Sequence, residues 1–328
     1  MSTPNRERAV DGLRATAVLF VVAHHGGLLP DALGTRGVDL FFAISGFCLA
    51  LPTMRARTAG APAHFDRGRF FRDRFLRIAP PYYVALAIFA ILAATPFGTP
   101  TAVAPALPFE WLADALSFTS TAPAYNASFW TIGVEAHWYV FFPAILALYL
   151  FSRSGFAMLG VAAYAAYAWQ PNVIDFGTLP CFMLGIVAAD VHARGKSGSP
   201  IFAWAALAIV PAAIALDRGP NHGDPLWHLA AVLVLLAGVG TLRALFQARW
   251  LAFIGVASYS IYLVHQPLVF WFAGHGTTRP LAAALSVACG IAFWYAVERP
   301  ALALRKALRE RSIARKASGT STKPQLAS

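Results

Sequence analysis

The chain has 328 residues, 58% of them apolar or aromatic and only 12% charged, with a formal charge of +11. Soluble domains carry about 25% charged residues, so a water-exposed globular surface is excluded. Nucleic acid, the usual partner of so basic a chain, is not expected, because Lys and Arg sit in short segments between long apolar runs.

Taken in chain order, the apolar runs predict an all-α, polytopic transmembrane bundle of about ten helices. They fall at roughly 10–29, 37–54, 78–96, 129–150, 154–170, 178–192, 200–216, 226–242, 251–272 and 281–299. A crossing helix needs about 20 residues; several of these are shorter, and 154–170 and 178–192 are the weakest and leave room for a re-entrant pair. The N-terminal stretch MSTPNRERAVDGLRA lacks a small-residue cleavage site and reads as a retained first helix. Prolines 80, 81, 143, 180, 211, 267 and 300 are expected near span ends, where a missing N–H costs little. With the N-terminus inside, 23 of the 26 Lys and Arg fall on the cytoplasmic side, which places both termini in the cytoplasm. Residues 1–302 form the membrane domain. Residues 303–328 form a basic tail that starts as a helix against anionic lipid and then turns polar and disordered. The external segment 97–127 carries one expected interfacial helix, 109–118. Cys48, Cys181 and Cys289 all lie inside apolar runs with no metal or disulfide spacing, and no metal is expected.

A charge at the bilayer centre costs about 2.5–3.5 kcal/mol, so ionisable groups within the spans single themselves out. In span one, Arg14 and His25 are eleven residues apart, close to three helical turns, and share a face about 16 Å apart along the axis. Asp11 is placed to pair with Arg14. In span two, Asp39 is expected to pair with His25 across a short turn, or else to cap its own helix. In span four, Glu135 and His137 face nearly opposite sides, so one cavity takes only one of them, and the costlier Glu135 is the candidate. Tyr259, Tyr262, His265 and Gln266 form a polar stripe on span nine, read as hydrogen bonds that hold the bundle. Glu298 and Arg299 read as structural.

The cytoplasmic loop before span three holds Arg67, Arg69, Arg72, Arg74 and Arg77 and no Lys. The Arg fork suits phosphate. A phosphate-binding mouth in line with a buried histidine suits acyl-coenzyme A: its head docks on Arg69, Arg72, Arg74, Arg77 and Tyr82, and its thioester arm reaches toward His25. His25 then deprotonates a hydroxyl or accepts the acyl group itself.

The segments DGLRATAVLFVVAHH, GVDLFFAISGF, RFFRDRFLRIAPPYY, SFWTIGVEAHWYVFFP, YSIYLVHQPL and ERP together resemble the acyltransferase 3 family of OafA/NodX-like membrane acyltransferases over roughly 6–300. In that family an Arg or Lys is followed after ten residues by His, so the resemblance implies that His25 is the catalytic residue, with Arg14. It also implies that Arg72 and Arg74 are required near the donor, and that Asp39 and Glu135 match family acids. A second acid often follows the family's Glu; here Ala136 and His137 stand instead. The implied reaction is O-acylation from acyl-CoA, acetyl-CoA above all, of a hydroxyl on a saccharide, lipid or small secondary metabolite in a bacterial cytoplasmic membrane. The competing class is a transporter or flippase of a polar glycan or lipid-linked intermediate, which shares the polar interior but needs no arginine-lined mouth.

Overall fold

The computed structural model describes residues 4–62, 65–93, 95, 126–216 and 222–319. The expected interfacial helix at 109–118 and the polar end of the tail, 320–328, lie outside them.

The first helix, α1 (Pro4–His25), stops at a glycine pair. Gly27 takes φ +66°, and the Gly27 and Leu28 amides donate back to the carbonyls of His24 and Ala23, both at 2.8 Å. That glycine-capped end fixes His24 and His25 in the last turn. A short α2 (Asp31–Gly34) leads into α3 (Arg36–Thr58), then α4 (Arg67–Ala93). A 3-10 turn, Ala127–Phe129, opens α5 (Trp130–Phe151); Asn126 caps it by accepting from the Ser128 amide. The chain continues through α6 (Arg153–Trp169), α7 (Ile174–Ala193), α8 (Ile201–Ala215) and α9 (Pro225–Val239). It ends in α10 (Arg243–Phe246), α11 (Arg249–Val256), α12 (Ser258–Gly274), α13 (Arg279–Phe293) and α14 (Arg299–Gly319). The described residues include no strand.

Five helical stretches among the described residues are long and apolar enough to cross a membrane: α3, α4, Ala127–Phe151, α7 and Arg279–Leu308. The pair α11–α12 makes a sixth when taken as one crossing, and α8 and α9 are apolar but shorter. Apolar side chains face outward on these helices, as in α8, where Ile201, Trp204 and Leu207 are all exposed. In water that face would be costly; in lipid it has its own solvent.

Several details depart from the sequence reading. The ninth expected span is broken: α11 and α12 meet at Ala257 with a bend of 72°. The tenth runs from α13 through a π-helical turn, Trp294–Glu298, directly into α14, so the 302/303 boundary falls within a helix. Most of the prolines lie inside helices rather than at their ends, including Pro80 and Pro81 in the middle of α4 and Pro143 in α5. The reason for the α4 pair is that the arginine segment itself is helical, which carries α4 back to Arg67.

Small residues set the helix crossings. The largest contact is α3 on α7, where a Cβ on Gly46 would lie 2.0 Å from the Phe182 carbonyl oxygen and one on Gly185 2.1 Å from that of Ala43. Glycine lets the two backbones touch there. Gly12 on α1 meets the Phe246 carbonyl and Gly255 on α11 meets that of Asp11. These two contacts clamp the turn of α1 that carries Arg14.

Candidate functional site

Arg14 lines a partly open chamber between the helices. Four further helices complete it: α3 contributes Ser45 and Cys48, α4 Arg74 and Arg77, α5 Glu135 and Tyr139, and α12 Tyr259 and Tyr262. The guanidinium of Arg14 pairs with Asp11 at 3.5 Å and approaches the Cys48 thiol at 3.6 Å. Glu135 accepts from the Ser45 hydroxyl at 3.2 Å and from the Tyr139 hydroxyl one turn along its own helix. Arg74 lies over the Tyr139 ring at 5.8 Å. Three guanidinium groups and one carboxylate therefore share this chamber, leaving it net positive and suited to an anion.

Glu135 faces the chamber, and His137 turns to α7, where its Nδ1 is 2.7 Å from Asp175.

Two open recesses adjoin the chamber and share Cys48 and Arg74 with it. One is lined by Arg14, Arg55 and Arg77 together with Asp11 and His192. The other is lined by Arg69 with Asp66 and Asp73. The arginine segment thus divides. Arg74 and Arg77, one turn apart, reach the chamber. Arg69 stays in the outer recess, and the part-exposed Arg72 turns away to Asp73 at 3.6 Å. Tyr82 does not line the chamber: it is 2% exposed and its ring packs on Phe129 at 5.0 Å. Four residues past Ile78, it faces the α5 lead-in rather than the arginines.

The far end of α1 carries a second cluster. His25 Nδ1 lies 3.0 Å from the Val21 carbonyl. A carbonyl only accepts, so the proton is on Nδ1 and Nε2 keeps its lone pair. The His25 ring touches His24 (4.9 Å between centroids), His265 (5.0 Å) and Phe270 (6.1 Å). His265 is fully buried, and its Nδ1 likewise donates to a carbonyl, that of Tyr262, at 2.7 Å. Tyr262 connects the two clusters: it lines the chamber, and its ring lies 5.3 Å from that of His265. Its hydroxyl accepts from Thr131 at 2.9 Å and donates to the Ser128 carbonyl at 3.2 Å. A line of side chains thus runs from Arg14 to His25 by way of α12.

Asp39 is not the partner of His25. It sits 1% exposed in the first turn of α3, paired with Arg36 at 3.3 Å, and its other oxygen is 3.9 Å from His228 Nε2. Because α3 begins at Arg36, Asp39 is inside the helix rather than at its cap, on the face toward α9. His228 is held there by the Tyr164 hydroxyl at 2.7 Å and the His222 carbonyl at 3.0 Å. Arg36 also lies over the Trp227 ring at 4.8 Å. This is a buried ion pair with its own scaffold. In the adjoining 222–224 turn, burial, aided by the Arg36 charge, lowers the His222 imidazole from its ordinary 6.5 to about 4.

Cys48, Arg55 and His265 join these clusters without having been singled out as site residues from sequence. Cys48 has no motif around it. His265 carried a signal, its spacing of three from Tyr262, but a polar stripe inside a bundle reads equally as helix-to-helix bonding.

A family model described as an acyltransferase domain matches residues 7–299. The chain belongs to the acyltransferase 3 family. BcsY of Komagataeibacter xylinus, a chain named as a membrane-bound transacylase, is 27% identical over 91% of this chain and 83% of its own length. ExoZ of Rhizobium meliloti, an exopolysaccharide production protein, is 28% identical over 84% of this chain and 92% of its own. The peptidoglycan O-acetyltransferase OatA of Listeria monocytogenes is 26% identical over 43% of this chain and 24% of its own. No solved structure matches. The protein is therefore a membrane-bound acyltransferase, and the chamber and the histidine cluster lie within the segment that defines the family. Among the described residues, no group of His, Cys, Asp and Glu is arranged to hold a metal ion.

Proposed function

We propose that this acyltransferase moves an acetyl group from cytoplasmic acetyl-CoA to a hydroxyl of a saccharide-containing acceptor. The observation that carries this reading is the chamber of Arg14, Arg74 and Arg77 joined through Tyr262 to His25, whose Nε2 lone pair is free to act as a base. The arginines supply charge-assisted donors for the phosphate-rich donor. The adjoining recess lined by Arg14, Arg55 and Arg77 offers its head a place, and the chamber takes the arm. At the histidine, the acceptor O–H gives its proton to His25 Nε2 as its oxygen bonds to the thioester carbonyl carbon. The carbon–sulfur bond then breaks, and the thiolate leaves and regains a proton. General-base assistance of this kind contributes about 10²–10⁴ in rate.

The saccharide acceptor is supported by relatives named for exopolysaccharide production and for peptidoglycan O-acetylation. Ten crossings with both termini in the cytoplasm are part of the same reading, supported by 23 of 26 basic residues falling on one side. That topology turns the Arg14 end of α1 toward the donor and the His25 end toward the outside.

The test is mass spectrometry of envelope glycans from cells with the gene, without it, and with His25→Ala. The acyl mass should appear with the wild-type protein alone, at equal protein levels in the membrane. A full acyl signal with His25→Ala would refute the role of His25. An acyl group unlabelled after feeding labelled acetyl-CoA to membranes would refute the donor.

A further inference from the structure

The proposed chemistry uses one ring nitrogen, yet the cluster holds two of the same kind. His265 has its Nδ1 committed to the Tyr262 carbonyl, so its Nε2 carries a lone pair, as in His25. This Nε2 is buried and has no hydrogen-bond partner among the described residues, while the residue as a whole is 0% exposed. An acceptor atom withdrawn from water and left unpaired costs about 1–3 kcal/mol. Packing offers no reason to retain it, since an apolar side chain of similar shape fills such a site at no polar cost. The arrangement makes sense when a donor arrives from outside the chain. The His25 and His265 rings meet nearly edge to face, at 83° and 5.0 Å between centroids, which puts the two imidazoles in one cluster.

Resting on the acyl transfer proposed above, we propose that His265 is a specificity-determining residue: its Nε2 accepts a hydrogen bond from a second O–H or N–H of the acceptor while His25 takes the proton of the reacting hydroxyl. A reacting hydroxyl has one proton to give, and His25 takes it. The lone pair on His265 then requires another donor on the same molecule, close to the first. A sugar ring supplies several; a simple alcohol supplies none. The second contact selects polyhydroxylated acceptors over lone alcohols embedded in lipid, and it takes no part in breaking the thioester.

The test uses membranes containing the full chain, labelled acetyl-CoA, and two probes: methyl glucopyranoside, which has neighbouring hydroxyls, and 1-octanol, which has one. Wild type is compared with His265→Leu, which keeps bulk and loses the acceptor atom, and with His265→Gln, whose amide oxygen can accept. His265→Leu should raise the glycoside KM about tenfold, the effect of one lost hydrogen bond, and leave octanol kinetics unchanged. His265→Gln should stay within about threefold of wild type on both. A fall by the same factor on both probes would make His265 a mere support for His25 and overturn the proposal. An unchanged glycoside KM, or a wild-type protein that acetylates octanol and not the glycoside, would overturn it as well. A wild-type protein that acetylates neither probe and leaves no acyl mark on cell glycans would sink the transfer reading itself, and this inference with it.

Discussion

Gly46→Ala perturbs a close backbone contact at the α3–α7 crossing without touching a polar side chain. The added Cβ would stand 2.0 Å from the Phe182 carbonyl oxygen, against the roughly 3.5 Å of an ordinary contact between nonbonded heavy atoms. The obstacle is backbone, so no side chain can swing aside, and α3 and α7 must separate by more than about 1 Å. Overpacking of this kind costs about 1–3 kcal/mol, and a rigid backbone obstacle puts it at about 3 kcal/mol. The separation also pulls Ser45 away from Glu135, a hydrogen bond of 3.2 Å that has little slack. The midpoint of thermal aggregation in mild detergent should fall clearly, and acyl transfer should weaken with it. Gly274→Ala, where nothing lies within 4 Å of the new atom, is the control and should match wild type. Gly185→Ala strikes the same crossing from the other side, so the double variant should lose less than the two single losses added together. A Gly46→Ala protein as stable as Gly274→Ala would refute the close-contact reasoning.

Donor affinity should separate the arginines. Arg74→Ala or Arg77→Ala should raise the KM for acetyl-CoA about tenfold or more, the scale of a lost charge-assisted bond. Arg72→Ala, which gives up only an exposed pair with Asp73, should change it by less than about threefold; equal effects at all three positions would argue for a diffuse charge effect. Asp39→Asn breaks the buried ion pair with Arg36 and should cost about 3–5 kcal/mol of stability, read as loss of folded protein in the membrane, with any surviving protein keeping its rate per molecule. His222 titrates lower when folded than when unfolded. Its contribution to stability is therefore complete above about pH 6.5 and is lost as pH falls through about 4. His222→Gln should flatten the wild-type loss of thermal stability between those two values, and an unchanged acid profile would remove His222 as its source.

Sequence alone determined the membrane class, because an apolar content this high has no aqueous solution, and it determined the family through motifs whose spacing is local to single helices. It also showed which end of α1 carries Arg14 and which carries His25, because eleven residues are three turns wherever the helix lies. That Glu135 and His137 point to different sides was legible for the same reason, as residues two apart on a helix are turned about 200° from one another. Partnerships between helices were not legible. Asp39 turns to Arg36 and His228 rather than to His25 because α3 starts at Arg36 and faces α9, which is a matter of helix rotation and carries no signature in residue order. The arginines of α4 divide for the same reason: five in a row look alike in sequence, and the helix sends only some of them inward. The pairing of His25 with His265, 240 positions apart in the chain, exists because α11 and α12 break at Ala257 and α12 lies along α1. Helical periodicity fixes what shares a face, and only the packing of faces decides what shares a site.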